Sequence, residues 1–345
     1  MTILKKRGVL LGLALLLAVG MCLLVGCGGN SSNMAAGTAE DPIIVKFSHV
    51  TSPDSPKGAA AQRYADLVAE RTEGRVKVEV YPSSQLYGDK EELEALMAGN
   101  VHIIAPTAAK MLGLVPAFQI FDLPFLFVNK EVCYQAFDGE VGQKLFKQLE
   151  PHGIIGLAFW ENGFKHFGNN KRVLKSPEDF KGLKFRIMAG KVLEAQFKAI
   201  DAAGAVVPFG ETYTALQQGT VDGQENTWNN METQKFYEVQ PYLTQSNHGR
   251  LDYVILTNTA FWSGLPDDIR QIMDETMKEV TAWEREQAEA LNNKSLEIIK
   301  ASGKCQVYEL TPEEIKAFQD KMEPVWEEFE DVIGKDLIDG VKSLY

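Results

Sequence analysis

Ile43-Ile44-Val45-Lys46-Phe47-Ser48-His49 opens the stretch whose alternation decides the fold. The run is largely apolar and of strand length, the pattern of a buried strand. Lys57 to Glu73 follows with helical spacing: Ala60, Tyr64, Leu67 and Val68 recur at threes and fours, and Gly74 is the usual helix-ending residue. Val76-Lys77-Val78-Glu79-Val80-Tyr81 alternates strictly, which predicts another strand. Gly88-Asp89 then starts a helix, with Asp89 as the expected N-cap and Glu92 at capping-box spacing. Gly99-Asn100 ends it, and Val101-His102-Ile103-Ile104-Ala105 reads as the next strand. Strands alternating with helices predict a parallel, helix-covered sheet.

Downstream the pattern repeats. Ile154 to Trp160 is strand-like, and Pro177-Glu178-Asp179-Phe180 is a short acidic turn that Ser176 can cap. Gly182 to Ile187 is a strand, Lys191 to Ala203 a helix, and Ala205 to Pro208 a strand. Tyr213 to Gln218 is a helix closed by Gly219, and Val254-Ile255-Leu256-Thr257 is a strand again. Pro266 to Ser302 forms one helical pattern without a breaker. At 1.5 Å per residue it would span roughly 50 Å, long enough to brace two lobes. Thr311-Pro312-Glu313-Glu314 begins the last helical segment. The expected fold is α/β, with two lobes joined by chain crossovers.

Upstream, Lys5, Lys6 and Arg7 precede an apolar run from Val9 to Val25, a signal-peptide pattern over 1–26. The run is close to membrane-spanning length, so an uncleaved helix is the alternative. Leu24-Val25-Gly26-Cys27 resembles the bacterial lipobox, which would make Cys27 a lipidation site and give the chain a membrane anchor. Residues 27–41 are small and polar, the composition of a flexible tether. The formal net charge of −12, with no basic block beyond a few residues, argues against nucleic acid. Cys133 and Cys305 match no metal or redox spacing; an oxidising compartment would permit a disulfide, and two free thiols are the simpler expectation.

Enzyme chemistry finds no foothold. There is no G-x-S-x-G, no H-E-x-x-H and no Cys/His signature. The five histidines, 49, 102, 152, 166 and 248, are scattered without ligand spacing, and no cofactor or metal is expected.

Several segments together resemble the DctP-type substrate-binding proteins of TRAP transporters. They are Tyr81-Pro82-Ser83-Ser84-Gln85-Leu86 with Gly88-Asp89, Asn162-Gly163-Phe164-Lys165, Pro177 to Arg186, and Glu211-Thr212-Tyr213-Thr214-Ala215-Leu216-Gln217. The strongest is Val221-Asp222-Gly223-Gln224-Glu225-Asn226, followed by Gln234 to Gln240. The resemblance implies a two-lobed, periplasmic-binding-protein-like fold around a central cleft, with crossover strands. Lobe I would take 42–162 plus 252–291, and lobe II 163–251 plus 292–345. It also implies an extracytoplasmic, monomeric protein that captures an organic acid by closing and delivers it to membrane permease subunits. Two rivals share the two-lobe logic. One is a ligand-sensing subunit of a membrane receptor; the other is the binding protein of an ATP-driven importer.

The resemblance also assigns residues. Arg186 occupies the position that grips the ligand carboxylate; an Arg presents planar, bidentate donors and never loses its charge. If Phe185 and Ile187 face one side of their strand, Arg186 faces the other. Read without the resemblance, it is a surface Arg paired with an acid. Lys165 stands where many relatives carry a second Arg, and a solvated Lys is the alternative. Asn226 would donate to the anion or serve as a turn residue. Relatives usually have Pro after this Asn; here Thr227-Trp228 follows, so Trp228 offers an aromatic wall or belongs to the core. His49 matches a ligand contact or is a strand-end His. Thr107 stands where sialic-acid binders carry Glu, which argues against that ligand. Phe209 matches an aromatic that packs on the ligand, and Trp160 could do the same or lie in the core. Four aromatics, Trp160, Phe164, Phe209 and Trp228, beside one Arg and one Lys favour an acid with an apolar or aromatic body over a small dicarboxylate.

Overall fold

Nine strands form one sheet in the order β2-β1-β3-β8-β4-β7-β5-β6, with β9 against β8. In this computed structural model, which describes residues 34–345, they are β1 Ile43–Ser48, β2 Val76–Tyr81, β3 Ile103–Ile104, β4 Ile154–Asn169, β5 Lys184–Ile187, β6 Ala203–Val206, β7 Gly223–Asn226, β8 Tyr242–Asn258 and β9 Gln306–Glu309. The leader, Cys27 and the first part of the tether lie outside the described residues. The rest of the expected tether lies against the fold: the Met34 amide donates to the Gly264 carbonyl at 2.8 Å.

β1 pairs in parallel with β2 and β3, and β5 in parallel with β6 and β7. These are two parallel halves, as the alternation predicted. What joins them is antiparallel. β4 and β8 run side by side through the middle of the sheet for 16 and 17 residues. Their register shifts between Glu161 and Gly163, a bulge that bends the ladder. Gly163 has φ +131°, a conformation L side chains rarely adopt, and a Cβ there would meet the Asn292 side chain at 3.0 Å. The result is a two-lobed α/β fold whose lobes share β4 and β8.

The helix Asp267–Ala301 runs unbroken, with Asp267 and Asp268 in its first turn complementing the helix dipole. Ile269, Met273, Met277 and Val280 fill the core under β1 and helix Pro56–Arg71. Farther along, Leu296 and Ile299 join the core around Phe209, Trp228 and Phe236. One amphipathic stripe thus serves both lobes. Among the described residues no helix is long and apolar enough to cross a membrane.

One local expectation fails. Asp89 caps no helix: the helix begins at Glu92 with Glu91 at its N-cap and no side-chain cap bond. The Glu92 carboxyl is buried, neither oxygen has a hydrogen-bond partner, and burial lifts its pKa to about 8 despite the Lys57 charge.

Candidate functional site

Arg186 sits near the end of β5. Its neighbours Phe185 and Ile187 enter the core with Phe167, Phe180 and Phe197, so the guanidinium projects from the opposite face. It is 2 % exposed. Its Nε donates to the Val207 carbonyl at 2.9 Å, and the Phe209 ring centroid lies 6.0 Å from Cζ. Among the described residues Nη1 and Nη2 have no hydrogen-bond acceptor, and no carboxylate lies within 4.0 Å. Burial lowers its pKa to about 10, opposed by the charges of Asp89 and Glu225.

A second buried cation was not anticipated. Lys57 follows Pro56 at the start of helix Pro56–Arg71, whose N-cap Ser55 accepts from Gly58 N. It is 0 % exposed. Its Nζ donates to the Ala105 carbonyl at 2.7 Å and stands 3.6 Å over the Tyr253 ring centroid. It too makes no salt bridge among the described residues. Burial brings its pKa down to about 8, with Glu92, Asp89 and Glu284 pulling the other way. Its sequence signal was a Lys in the first turn of a helix, where the dipole disfavours a cation.

Hydrogen-bonded side chains connect the two halves. The Tyr253 hydroxyl meets Asn162 Nδ2, which also donates to Asn230 Oδ1 at 3.1 Å. Asn230 Nδ2 donates to Asn226 Oδ1 at 2.7 Å, and Thr227 Oγ1 to Asn162 Oδ1 at 2.6 Å. Asn226 Nδ2 is left without a partner, as are Thr107 Oγ1 and His49 Nε2. Buried polar atoms are nearly always satisfied, so each of these orphans needs a reason. Thr107 bridges to Tyr253 in the sheet. The His49 ring is buried against Thr51 Oγ1 at 3.3 Å, and burial, followed by the Lys57 charge, drops its pKa to about 3, so it is neutral.

The remaining predicted residues have other partners. Lys165, 0 % exposed, donates to Glu225 Oε1 at 2.7 Å, while His248 Nε2 meets Glu225 Oε2 at 2.7 Å. Burial would raise the Glu225 pKa, but Lys165 and His248 hold it near 2. Trp160 donates from Nε1 to Thr281 Oγ1 at 2.9 Å and packs on Phe47 in the core. Trp228 stacks on His166 with centroids 4.2 Å apart. It borders a cavity of about 540 Å³ that also touches Phe125, Phe164 and Asn292 and is not lined by Arg186, Lys57 or Asn226. Phe209 is 8 % exposed, and its amide is held by Asp89 Oδ2 at 2.9 Å. Among the described residues no group of acidic, His and Cys side chains could hold a metal ion, and Cys133 and Cys305 are free thiols.

Similar proteins share this architecture. The sequence profile of bacterial extracellular solute-binding protein family 7, DctP, matches residues 47–331. The C4-dicarboxylate-binding periplasmic protein DctP of Rhodobacter capsulatus is 46% identical over 321 residues, covering 93% of this chain and 96% of that protein. A TRAP periplasmic solute-binding protein from Shewanella oneidensis with bound succinate superposes with a TM-score of 0.86 at 43% identity, over 88% of this chain and 99% of that one. One from Pseudomonas aeruginosa PAO1 with bound L-malate gives 0.81 at 43% identity, over 83% and 100%. This chain belongs to the DctP family, and it is a substrate-binding subunit for TRAP-type carboxylate transport rather than an enzyme.

Proposed function

We propose that the protein captures a C4-dicarboxylate, with one carboxylate on Arg186 and the other on Lys57. One observation carries the reading. Four Lys or Arg side chains are buried among the described residues: Lys57, Lys165, Arg186 and Arg250. Lys165 and Arg250 have carboxylate partners, at 2.7 Å and 2.8 Å; Lys57 and Arg186 have none. A buried charge without a counter-charge is costly, and a ligand that brings two carboxylates relieves two such costs at once. The Asn226 amide supplies a further donor to the carboxylate on Arg186, and Phe209 lies along it. His49, a neutral ring beside Lys57, and Thr107 face the other end.

Lys165 then acts as a support that fixes Glu225, not as a grip. An acid with an aromatic body has less to stand on, because Trp160 and Trp228 are engaged elsewhere. The names of the relatives point the same way, since they bind C4-dicarboxylates, succinate or L-malate.

Capture is by closure of lobe I (42–162 plus 252–291) on lobe II (163–251 plus 292–345). Ligand drives closure because only the closed form presents both cations to one molecule. The closed monomer then passes its cargo to the permease. A lipid on Cys27 would keep it at the membrane.

Calorimetric titration of the native protein with succinate, L-malate, fumarate, butyrate and benzoate tests the ligand class. Dicarboxylates are expected to bind at least a hundredfold more tightly than butyrate or benzoate. Equal or tighter binding of a monocarboxylate overturns the reading.

A further inference from the structure

We propose that Asp89 is the latch that holds the cleft shut, a role that rests on the closure reading above. β2 and β6 are the outermost strands on the two sides of the crossover pair. The chain leaving β2 reaches Asp89; the chain leaving β6 reaches Phe209. In strand order these are the rims farthest from β4 and β8, so rotation about the crossover strands separates them most. They nonetheless touch: Asp89 Oδ2 accepts the backbone N–H of Phe209 at 2.9 Å.

Among the described residues neither group has another hydrogen-bond partner. Phe209 opens a short 3-10 turn, Phe209–Glu211, behind Pro208, which has no side-chain acceptor to offer its amide. Asp89 stands at a helix-capping spacing yet caps nothing, since the following helix begins at Glu92 without a side-chain cap bond. One half of the molecule therefore supplies the acceptor that a turn in the other half lacks. Lys110 Nζ, 3.6 Å from the same oxygen, steadies the carboxylate from behind. The Asp89 side chain is only 8 % exposed, so this charge-assisted bond is poorly screened by water. On opening, both groups would exchange each other for solvent. The bond strengthens the closed form alone, and its loss should appear in the rate at which ligand leaves.

The test pairs stopped-flow release of succinate with hydrogen exchange at the Phe209 amide, in the native protein, Asp89→Ala and Asp89→Asn. Asp89→Ala is expected to raise koff about tenfold and to speed Phe209 exchange by a similar factor. Asp89→Asn should fall between, because its amide oxygen still accepts. Native values of koff and exchange in Asp89→Ala overturn the latch. So does Asp89→Asn matching Asp89→Ala in koff while the Phe209 amide stays protected in both, which would assign the effect to charge near Arg186. If no carboxylate binds the native protein, the ligand reading fails by itself, and the exchange comparison still decides the latch. Should Asp89→Ala not fold, Phe209 exchange in Asp89→Asn decides: faster than native supports the bond, and equal to native overturns it.

Discussion

The buried cations of the crossover strands and the pair Lys57 and Arg186 differ in one respect, their partners. On β8, Arg250 is clasped by Glu161 at 2.8 Å and Asp252 at 2.8 Å, with the Phe164 ring centroid 4.6 Å from its Cζ. Lys165, on β4, has Glu225. Arg186 and Lys57 have only a backbone carbonyl each and an aromatic face nearby. Equal burial thus serves two purposes. A paired cation stabilises architecture, because removing it strands a buried carboxylate. An unpaired cation is a standing cost to the fold that an anionic ligand would offset.

Substitution should pull the two classes apart. Arg250→Ala should have the largest effect, a loss of about 3–5 kcal/mol of stability, since it leaves Glu161 and Asp252 buried without their counter-charge. Chemical denaturation reads this, and a shift under 1 kcal/mol would erase the contrast. Arg186→Ala should cost about 3 kcal/mol in ligand binding, on the order of a hundredfold, while the melting temperature of the ligand-free protein holds or rises. A fall in stability like that of Arg250→Ala would place Arg186 with the structural cations. Lys57→Met should weaken succinate about tenfold and leave butyrate unchanged, as judged by calorimetry. Equal losses for both acids would remove Lys57 from the distal carboxylate.

The smallest and most telling effect is pH dependence. The ordinary ammonium pKa is 10.5, and burial holds Lys57 near 8 against the pull of Glu92, Asp89 and Glu284. Below pH 8 the folded chain bears the full cost of a buried charge. As pH rises from 8 to 10.5, the folded state gives up the proton before the unfolded state does, so stability gains over that window. Dicarboxylate affinity should move the opposite way, falling several-fold between pH 7.5 and about 9 as the charge is lost. The fall should vanish in Lys57→Met, and an identical profile in that variant would clear Lys57 of the role.

The contrast also explains what the sequence disclosed. The parallel halves were legible because their strands alternate or run apolar. Of the crossover strands only Ile154 to Trp160 and Val254 to Thr257 stood out. The rest of β4 and β8 carries Glu161, Lys165, His248, Arg250 and Asp252, buried in ion pairs and hydrogen bonds that no hydropathy pattern marks, and His166, buried against Trp228. Arg186 was visible through its resemblance to a family position and not through its strand. Lys57 was read only as the first residue of a helical pattern. Asp89 was noticed for the wrong task, because its spacing fits a cap and its actual partner is the distant Phe209 amide.

Dividing the two unpaired cations between the halves of the sheet has a consequence for unloading. With Lys57 beyond β1 and Arg186 on β5, a dicarboxylate held as proposed would rest on both halves of the sheet. A membrane partner that pries the halves apart need not compete for either carboxylate. Parting the halves would turn a two-handed hold into a one-handed one, and water would reclaim the freed end.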